Sequence, residues 1–443
     1  VIKFRKKLSL ETSFQNRMLV RYCAENFATR NSRRLLGLYY CFNDKRRLLL
    51  AFLCVWKDVQ YISITTDEAL NAYCAQLAKA QAIAVDTEFV RTRTLYPQLG
   101  LIQIYDGQQI ALIDPLEISD FSLLKAIFTD ANIVKILHSC SEDIETFMCS
   151  LKIVPTPIFD TQFAAAIVGM GASLGYAKLV EIMLDVQVDK GESRTDWLAR
   201  PLSPQQCQYA AYDVLYLFQL YPALRDKTLA QNRQAWVFTE MDNLTRKKQS
   251  QIPYDLLYLN IKNSWHVTGK SLYVLQQLTA WRAKEAQQRD LALNFVVREA
   301  NLLEVAKKLP SSKNALHQIS GLTPQEIRVN GQAMLDIIEA AQNVDESAYP
   351  VPVERLVDFP RFKKVTAAVR EVCVRNAEKL GVPVELIGSK KQINQLIKWC
   401  WFSVDDTRAQ GLQPDLLDGW RGEFLQAELA GVDGLNIPES ANA

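Results

Sequence analysis

Between residues 66 and 224 the chain alternates short apolar runs with helical periodicities, and beyond about residue 225 the short apolar runs stop. This change of rhythm constrains the fold more than any single motif. Ala82–Val85, Leu101–Tyr105, Gln109–Ile113, Ile133–Leu137 and Ile158–Phe159 read as strands. The Asp106-Gly107 pair marks the turn between the second and third of them. Helical spacing predicts helices over Asp67–Lys79, Phe121–Phe128, Ser141–Leu151, Thr161–Val168, Leu174–Leu184 and Pro204–Leu224. Hairpin-linked strands followed by strand–helix alternation describe an α/β fold, a mixed sheet flanked by helices. The remainder reads as all-α, in two blocks near 270–345 and 358–432 separated by the Tyr349-Pro350-Val351-Pro352 linker. The blocks look like weak repeats. In each, an extended break (Leu291–Val296, Leu380–Glu385) follows a long helix, and further helices begin near Asn301 and Lys390.

Composition bounds the chemistry. The net charge of +2 hides an asymmetry, because residues 1–57 carry 13 Lys/Arg against three Asp/Glu and the rest is mildly acidic. Charge alone therefore does not advertise a nucleic-acid partner. Nine cysteines without a C-x-x-C pair and only three histidines argue against zinc and against a disulfide framework. Reduced thiols in the cytoplasm are the expectation. Leu35–Phe42 and Leu48–Trp56 are apolar, but each falls short of the roughly 20 residues a membrane span requires. Residues 1–58 read as a basic, poorly ordered extension outside the native product, with Val59 as a candidate start. The rival reading is a basic arm for RNA or a membrane surface.

Three acidic constellations carry the chemical signal. Asp86-Thr87-Glu88 closes the first apolar strand, and residues two apart on a strand project from one face. Two anions placed together need a cation to offset their repulsion, and oxygen ligands suit a hard divalent ion. Alone the spacing is weak, since Asp143-Ile144-Glu145 repeats it. The second is His138-Ser139-Cys140-Ser141-Glu142-Asp143, a strand running into a helix start with Asp143 in the first turn. A dipole-compensating acid and a structural histidine are the plain readings of Asp143 and His138. In the third, Tyr209 and Asp213 stand at i and i+4 of the helix after Pro204 and share a face.

Together, a D-x-E strand, an Asp opening a later helix and a Y-x-x-x-D helix resemble the DEDD exonuclease superfamily, Tyr209 marking its tyrosine branch. The text from Ala84 to Thr94, from Tyr96 to Gln103 and from Ser193 to Leu202 resembles the bacterial ribonuclease D family. The resemblance runs from about Ile64 to about residue 430. The helical blocks resemble that family's tandem helicase-and-RNase-D C-terminal (HRDC) modules. Two departures are Tyr212 and Cys140, where smaller residues are expected and packing near the site is put in question.

The resemblance implies a ribonuclease-H-like exonuclease domain at 59–228, a helical linker at 229–268, HRDC domains at 269–348 and 349–435, and a tail at 436–443. It implies two divalent ions (Mg²⁺ or Mn²⁺) held by Asp86, Glu88, Asp143 and Asp213, one activating a water and one stabilising the leaving 3′ oxygen. Tyr209, a poor base with an ordinary phenol pKa near 10, is assigned to orienting that water. The implied reaction is 3′→5′ removal of nucleoside 5′-monophosphates. The implied partner is the single-stranded 3′ end of RNA, tRNA precursors above all, and the implied state a cytoplasmic monomer. Phe89, Gln103, His138 and Trp197 are candidate substrate contacts, and Arg361, Lys363, Lys364, Lys390 and Lys391 candidate phosphate contacts. For each of these a core or solvated role is the rival.

Other readings stay open. Ser264–Ser271 nearly spells a phosphate-binding loop, but it lacks the first glycine and follows helical text, so an ATP-driven helicase is set aside. A DNA-directed 3′→5′ exonuclease shares all four carboxylates, since nothing in the motifs reads the sugar. A non-catalytic RNA-binding protein is the third possibility, and the intact acidic set argues against it.

Overall fold

The computed structural model describes residues 59–188 and 191–438, so the expectation for residues 1–58 lies outside the described part. Six strands form one sheet: β1 (Tyr61–Ile64), β2 (Ala82–Val90), β3 (Gln98–Tyr105), β4 (Ile110–Ile113), β5 (Val134–Leu137) and β6 (Ile158–Asp160). Their order is β1-β4-β3-β2-β5-β6. β2, β3 and β4 form an antiparallel meander, and β1, β5 and β6 add in parallel at the two sides. The sheet is mixed, as the alternation predicts.

Two features differ from the sequence expectation. β1 was not anticipated; its Tyr-Ile-Ser-Ile is only four residues and mostly half-buried, so periodicity has little to register. β2 runs on past Val85 to Val90, carrying Asp86 and Glu88 inside the strand with β3 alongside them. A bulge between Glu88 and Phe89 in that ladder accommodates Gly100 on β3. A Cβ at Gly100 would sit 2.5 Å from the Trp197 carbonyl oxygen, so no other residue fits.

Helices cover both faces: α1 (Asp67–Leu77), α2 (Ser122–Thr129), α3 (Ser141–Ser150), α4 (Thr161–Ile167), α5 (Tyr176–Leu184) and the long α6 (Pro204–Ala230). α6 starts where a capping box forms, Ser203 accepting from Gln206 N while the Gln206 side chain takes Ser203 N, and Pro204 fits the first turn. It lies across β2, β3 and β4. Beyond it, α7 (Gln234–Gln249) leads to the helical modules.

The first module holds α8 (Gly269–Arg289), α9 (Leu293–Val296), α10 (Glu299–Lys308), α11 (Lys313–His317) and α12 (Pro324–Ala340). The second holds α13 (Phe362–Leu380), α14 (Val384–Ile387), α15 (Lys390–Trp401), α16 (Asp406–Ala409) and α17 (Gly419–Ala430). The repeat seen in the text is a structural one, long helix, single turn, helix, though each break holds a helical turn where an extended segment was expected. The long helices both stop at a left-handed residue, Asp290 (φ 45°) and Gly381 (φ 63°). The near-P-loop is a short 3₁₀ turn, Ser264–His266, followed by α8, with no strand before it.

Candidate active site

The strand carrying the D-x-E pair, the first turn of α3 and the middle of α6 converge at one end of β2. Carboxylate oxygens of Asp86, Glu88 and Asp213 all lie within 4.8 Å of one another. Asp86 and Glu88 point to the same side of β2, and α6 crosses that side with Asp213 facing down. Asp143 arrives from α3, where Thr87, between the two strand acids, donates its hydroxyl to Asp143 Oδ1 at 2.5 Å. Asp143 also adds to the electrostatic load on Asp86.

Withdrawal from water pushes every one of these acids up, and repulsion within the set adds to it at Asp86 and Glu88. Asp86 rises well above the carboxylate range, through burial first and then through Asp143, Asp213 and Glu88. Burial followed by Asp213 and Asp143 lifts Glu88 to about 9. Burial raises Asp213 to about 7 against a hydrogen bond from Tyr209, and Asp143 to about 6 against the bond from Thr87. Such a set is unfavourable as four anions in the bare protein. It suits hard divalent cations, because all its donors are carboxylate oxygens and no thiolate or imidazole takes part. By this test of donor chemistry, the residues fit a divalent metal.

Tyr209 is within hydrogen-bonding reach of Asp213, one turn along the same helix face. Burial, then Asp213, Glu88 and Asp86, raise its phenol further above its usual range, so it keeps its proton. Tyr176 on α5 is a residue the sequence reading missed. Its hydroxyl donates to the Asp213 backbone carbonyl and anchors the α6 segment that presents the acid. No local pattern announces it, since the two residues are 37 apart.

The four proposed substrate contacts divide. Phe89 and His138 retain some exposed surface, whereas Gln103 (0% exposed) and Trp197 (1%) are sealed inside, so neither touches a nucleotide as folded. Gln103 is the register partner of Asp86, and both its amide atoms make no hydrogen bond among the described residues. Trp197 packs its ring 6.2 Å from that of Tyr209, and its backbone oxygen accepts from Arg200 at 2.9 Å. Arg200 also pairs with Asp114 and donates to Gly100 O, which fastens the Ser193–Leu202 text to β3 and to the residue that follows β4. His138 Nδ1 lies 3.0 Å from Thr161 Oγ1 and its ring stacks edge-on to Tyr176, the structural role expected by default.

The two departures are accommodated. Cys140 is buried with its sulfur 3.4 Å from that of Met241, and Tyr212 stacks on Tyr216 along α6. The candidate phosphate contacts Arg361, Lys363, Lys364, Lys390 and Lys391 are all exposed, Lys364 paired with Asp433.

Sequence models of three families match the chain. They are the 3'-5' exonuclease family over residues 61–229, the HRDC domain over 271–338 and the ribonuclease D C-terminal HRDC domain over 360–429. The chain is 43% identical to ribonuclease D of Shewanella sp. (strain ANA-3) over 382 residues, which is 85% of this chain and 95% of that protein. It is 43% identical to ribonuclease D of Escherichia coli (strain K12) over 371 residues, 84% of this chain and 98% of that one. The crystal structure of E. coli RNase D, described as an exoribonuclease involved in structured RNA processing, superposes with a TM-score of 0.81. That match has 42% identity and covers 84% and 98% of the two chains. The catalytic core of RRP6 from Trypanosoma brucei is similar with a TM-score of 0.53 and 25% identity over 66% of this chain and 84% of that one.

Proposed function

The chain belongs to the ribonuclease D family and is a 3′→5′ exoribonuclease, and from that premise we propose that it trims the single-stranded 3′ ends of tRNA precursors and other small structured RNAs. The observation that carries the reading is the meeting of Asp86, Glu88 and Asp213 with Asp143 braced beside them. We assign the metal-holding role to those four carboxylates, enough for two divalent ions. When bound, the ions supply Lewis-acid stabilisation of the phosphate charge and a more acidic attacking water.

The chain's own groups do the rest. Thr87 holds Asp143 in a fixed rotamer, and Tyr176 holds the α6 backbone at Asp213. The Tyr209 hydroxyl, protonated throughout the working pH range, orients the nucleophile and does not deprotonate it. Proton acceptance falls to water or the carboxylates. The product of attack at the terminal phosphodiester is a nucleoside 5′-monophosphate. The domains are assigned as 59–228 for the nuclease, 229–268 for the connector, 269–348 and 349–435 for the HRDC modules. The described cysteines are all free, in keeping with a reducing cytoplasm, and we take the protein to act as a monomer.

The test is a strand comparison. RNA and DNA of one sequence, labelled at the 5′ end, are incubated with Mg²⁺, Mn²⁺ or EDTA and either wild type or Asp86→Asn. RNA should shorten from its 3′ end only with metal, and the variant should lose roughly 10³-fold or more in kcat, about 4 kcal/mol of transition-state stabilisation. Near-normal turnover by Asp86→Asn would remove the assignment, and faster attack on DNA would favour a DNA-directed enzyme.

A further inference from the structure

Large apolar side chains left in water cluster at one junction. Tyr96 is 41% exposed on the β2–β3 loop, and Leu293 (39%) and Phe295 (49%) are exposed on α9 of the first helical module. These elements are held together by direct bonds. Ala292 N donates to Arg93 O at 2.8 Å, and Leu95 N and Tyr96 N donate to Asp290 Oδ1 at 3.1 and 3.0 Å. Exposed aromatics on two elements bonded to each other are candidates for an interaction surface.

The surface is basic as well as aromatic. The Arg93 guanidinium sits 5.1 Å from the Phe295 ring centroid and has no carboxylate partner among the described residues. Arg91 and Lys248 share a single carboxylate, Glu145, at 2.5 and 3.0 Å. Three cations thus face Glu145 and an Asp290 already taken by two backbone N–H groups. Aromatic faces interleaved with spare positive charge fit single-stranded nucleic acid, which offers stacking bases and phosphates together.

The β2–β3 loop also follows directly from the strand that carries Asp86 and Glu88. Arg93 is five residues beyond Glu88 on the same chain, at most about 18 Å of extended backbone. Glu145, the shared partner of Arg91 and Lys248, is two residues from Asp143 on α3. A polymer with its 3′ end at the acids therefore reaches the junction within a few nucleotides.

We propose that the β2–β3 loop and α9 together form a stacking platform for the unpaired RNA segment immediately upstream of the nucleotide being removed. Bases stack on Phe295 and Tyr96, and Arg91, Arg93 and Lys248 meet phosphates. The proposal rests on the exoribonuclease reading and deepens it. It predicts that a minimum length of single strand is needed for tight binding, because neither domain holds the platform alone.

A length series of RNA, from a dimer to roughly a dodecamer, tests it with wild type, Phe295→Ala, Tyr96→Ala, Arg93→Gln and Phe295→Trp. For wild type, KM should fall with length. Phe295→Ala and Tyr96→Ala should each raise KM for the long RNA about tenfold, with kcat and the dimer's KM unchanged. Phe295→Trp should restore the length effect, and Arg93→Gln should flatten the salt dependence by about one phosphate contact. Thermal unfolding of each variant reports whether the junction still folds. If the variants weaken dimer and dodecamer alike, or change neither, the platform is wrong and the exposed face serves a protein or the fold. If wild type shortens no RNA, it is the exoribonuclease reading that fails.

Discussion

The two helical modules share an order of elements and differ in what they are built onto. The second has no core of its own. Its Val365, Val369, Leu396, Trp420 and Leu425 belong to one apolar cluster with the sheet residues Ile83, Ile102 and Ile136. The first keeps a separate core of Leu275, Leu302 and Ile327, completed by Tyr258 of the connector, and among the described residues only Leu95 of the nuclease region packs against it. The joints differ accordingly. Trp420, wholly buried, stacks on Trp236 of α7 with ring centroids 5.1 Å apart and donates its indole N–H to Glu240 at 2.7 Å. Arg421 completes an ion pair with the same Glu240, itself largely out of water. The first module instead meets the nuclease region through Asp290 and one backbone hydrogen bond at the surface. One copy of the repeat is thus a buttress that cannot leave without opening the core. The other has its own core and is clipped to the loop that follows β2.

The largest expected effect tests the buttress. Trp420→Ala removes a fully buried aromatic and one of the donors to Glu240, leaving that carboxylate to Arg421, a loss of about 3–5 kcal/mol. Calorimetry should show the nuclease and second module unfolding earlier and still together, with the first module's transition in place. Independent melting of the second module at an unmoved nuclease transition would break the contrast.

The next effect, about 2.7 kcal/mol at a cation concentration one hundred times Kd, separates the units by pH and metal. Glu88 held at about 9 and Asp213 at about 7 bind protons in the folded state that the unfolded chain has released. Raised acid pKa values make stability fall as pH climbs from the unfolded values near 4 through the folded ones. Metal-free protein should therefore lose stability between about pH 5 and 9 in the nuclease transition, and Mg²⁺ or Mn²⁺ should restore most at the alkaline end. Among the described residues the first module carries no such cluster, and it should not respond. An EDTA-treated protein whose nuclease transition is higher at pH 9 than at pH 6 contradicts the arrangement of acids.

What could be read from the text follows from how local each signal is. The convergence of Asp86, Glu88 and Asp213 was legible through the family resemblance of the combined motifs, each short spacing being weak alone. Thr87 lay between two of them and still went unread, since its importance is a hydrogen bond to a helix 56 residues away. Tyr176 and the Gly100 bulge were hidden for the same reason. Gln103 looked like a polar contact from its place beside the motif, but a strand between two covered neighbours seals its side chain. The contrast between modules was also invisible. Trp236 and Trp420 each sit in an amphipathic helix, and a helix's apolar face does not say whether it meets its own domain or another.

The smallest effect probes the clip. Asp290 occupies a left-handed conformation that glycine adopts at the matching corner, Gly381, of the second module. A carboxylate in place of that glycine is a local cost, offset here by the N–H groups of Leu95 and Tyr96. Asp290→Gly keeps the turn and removes the acceptor, so both cores should retain their melting temperatures while the loop is released. Amide exchange at Leu95 and Tyr96 should accelerate about tenfold, the equivalent of roughly 1.4 kcal/mol for two exposed charge-assisted bonds. Asp290→Asn, which keeps a carbonyl acceptor, should fall between the two. Unchanged protection in Asp290→Gly would mean that Leu95, half-buried against the first module's core, holds the loop by itself, and the module would then be fastened by apolar packing much as the second one is.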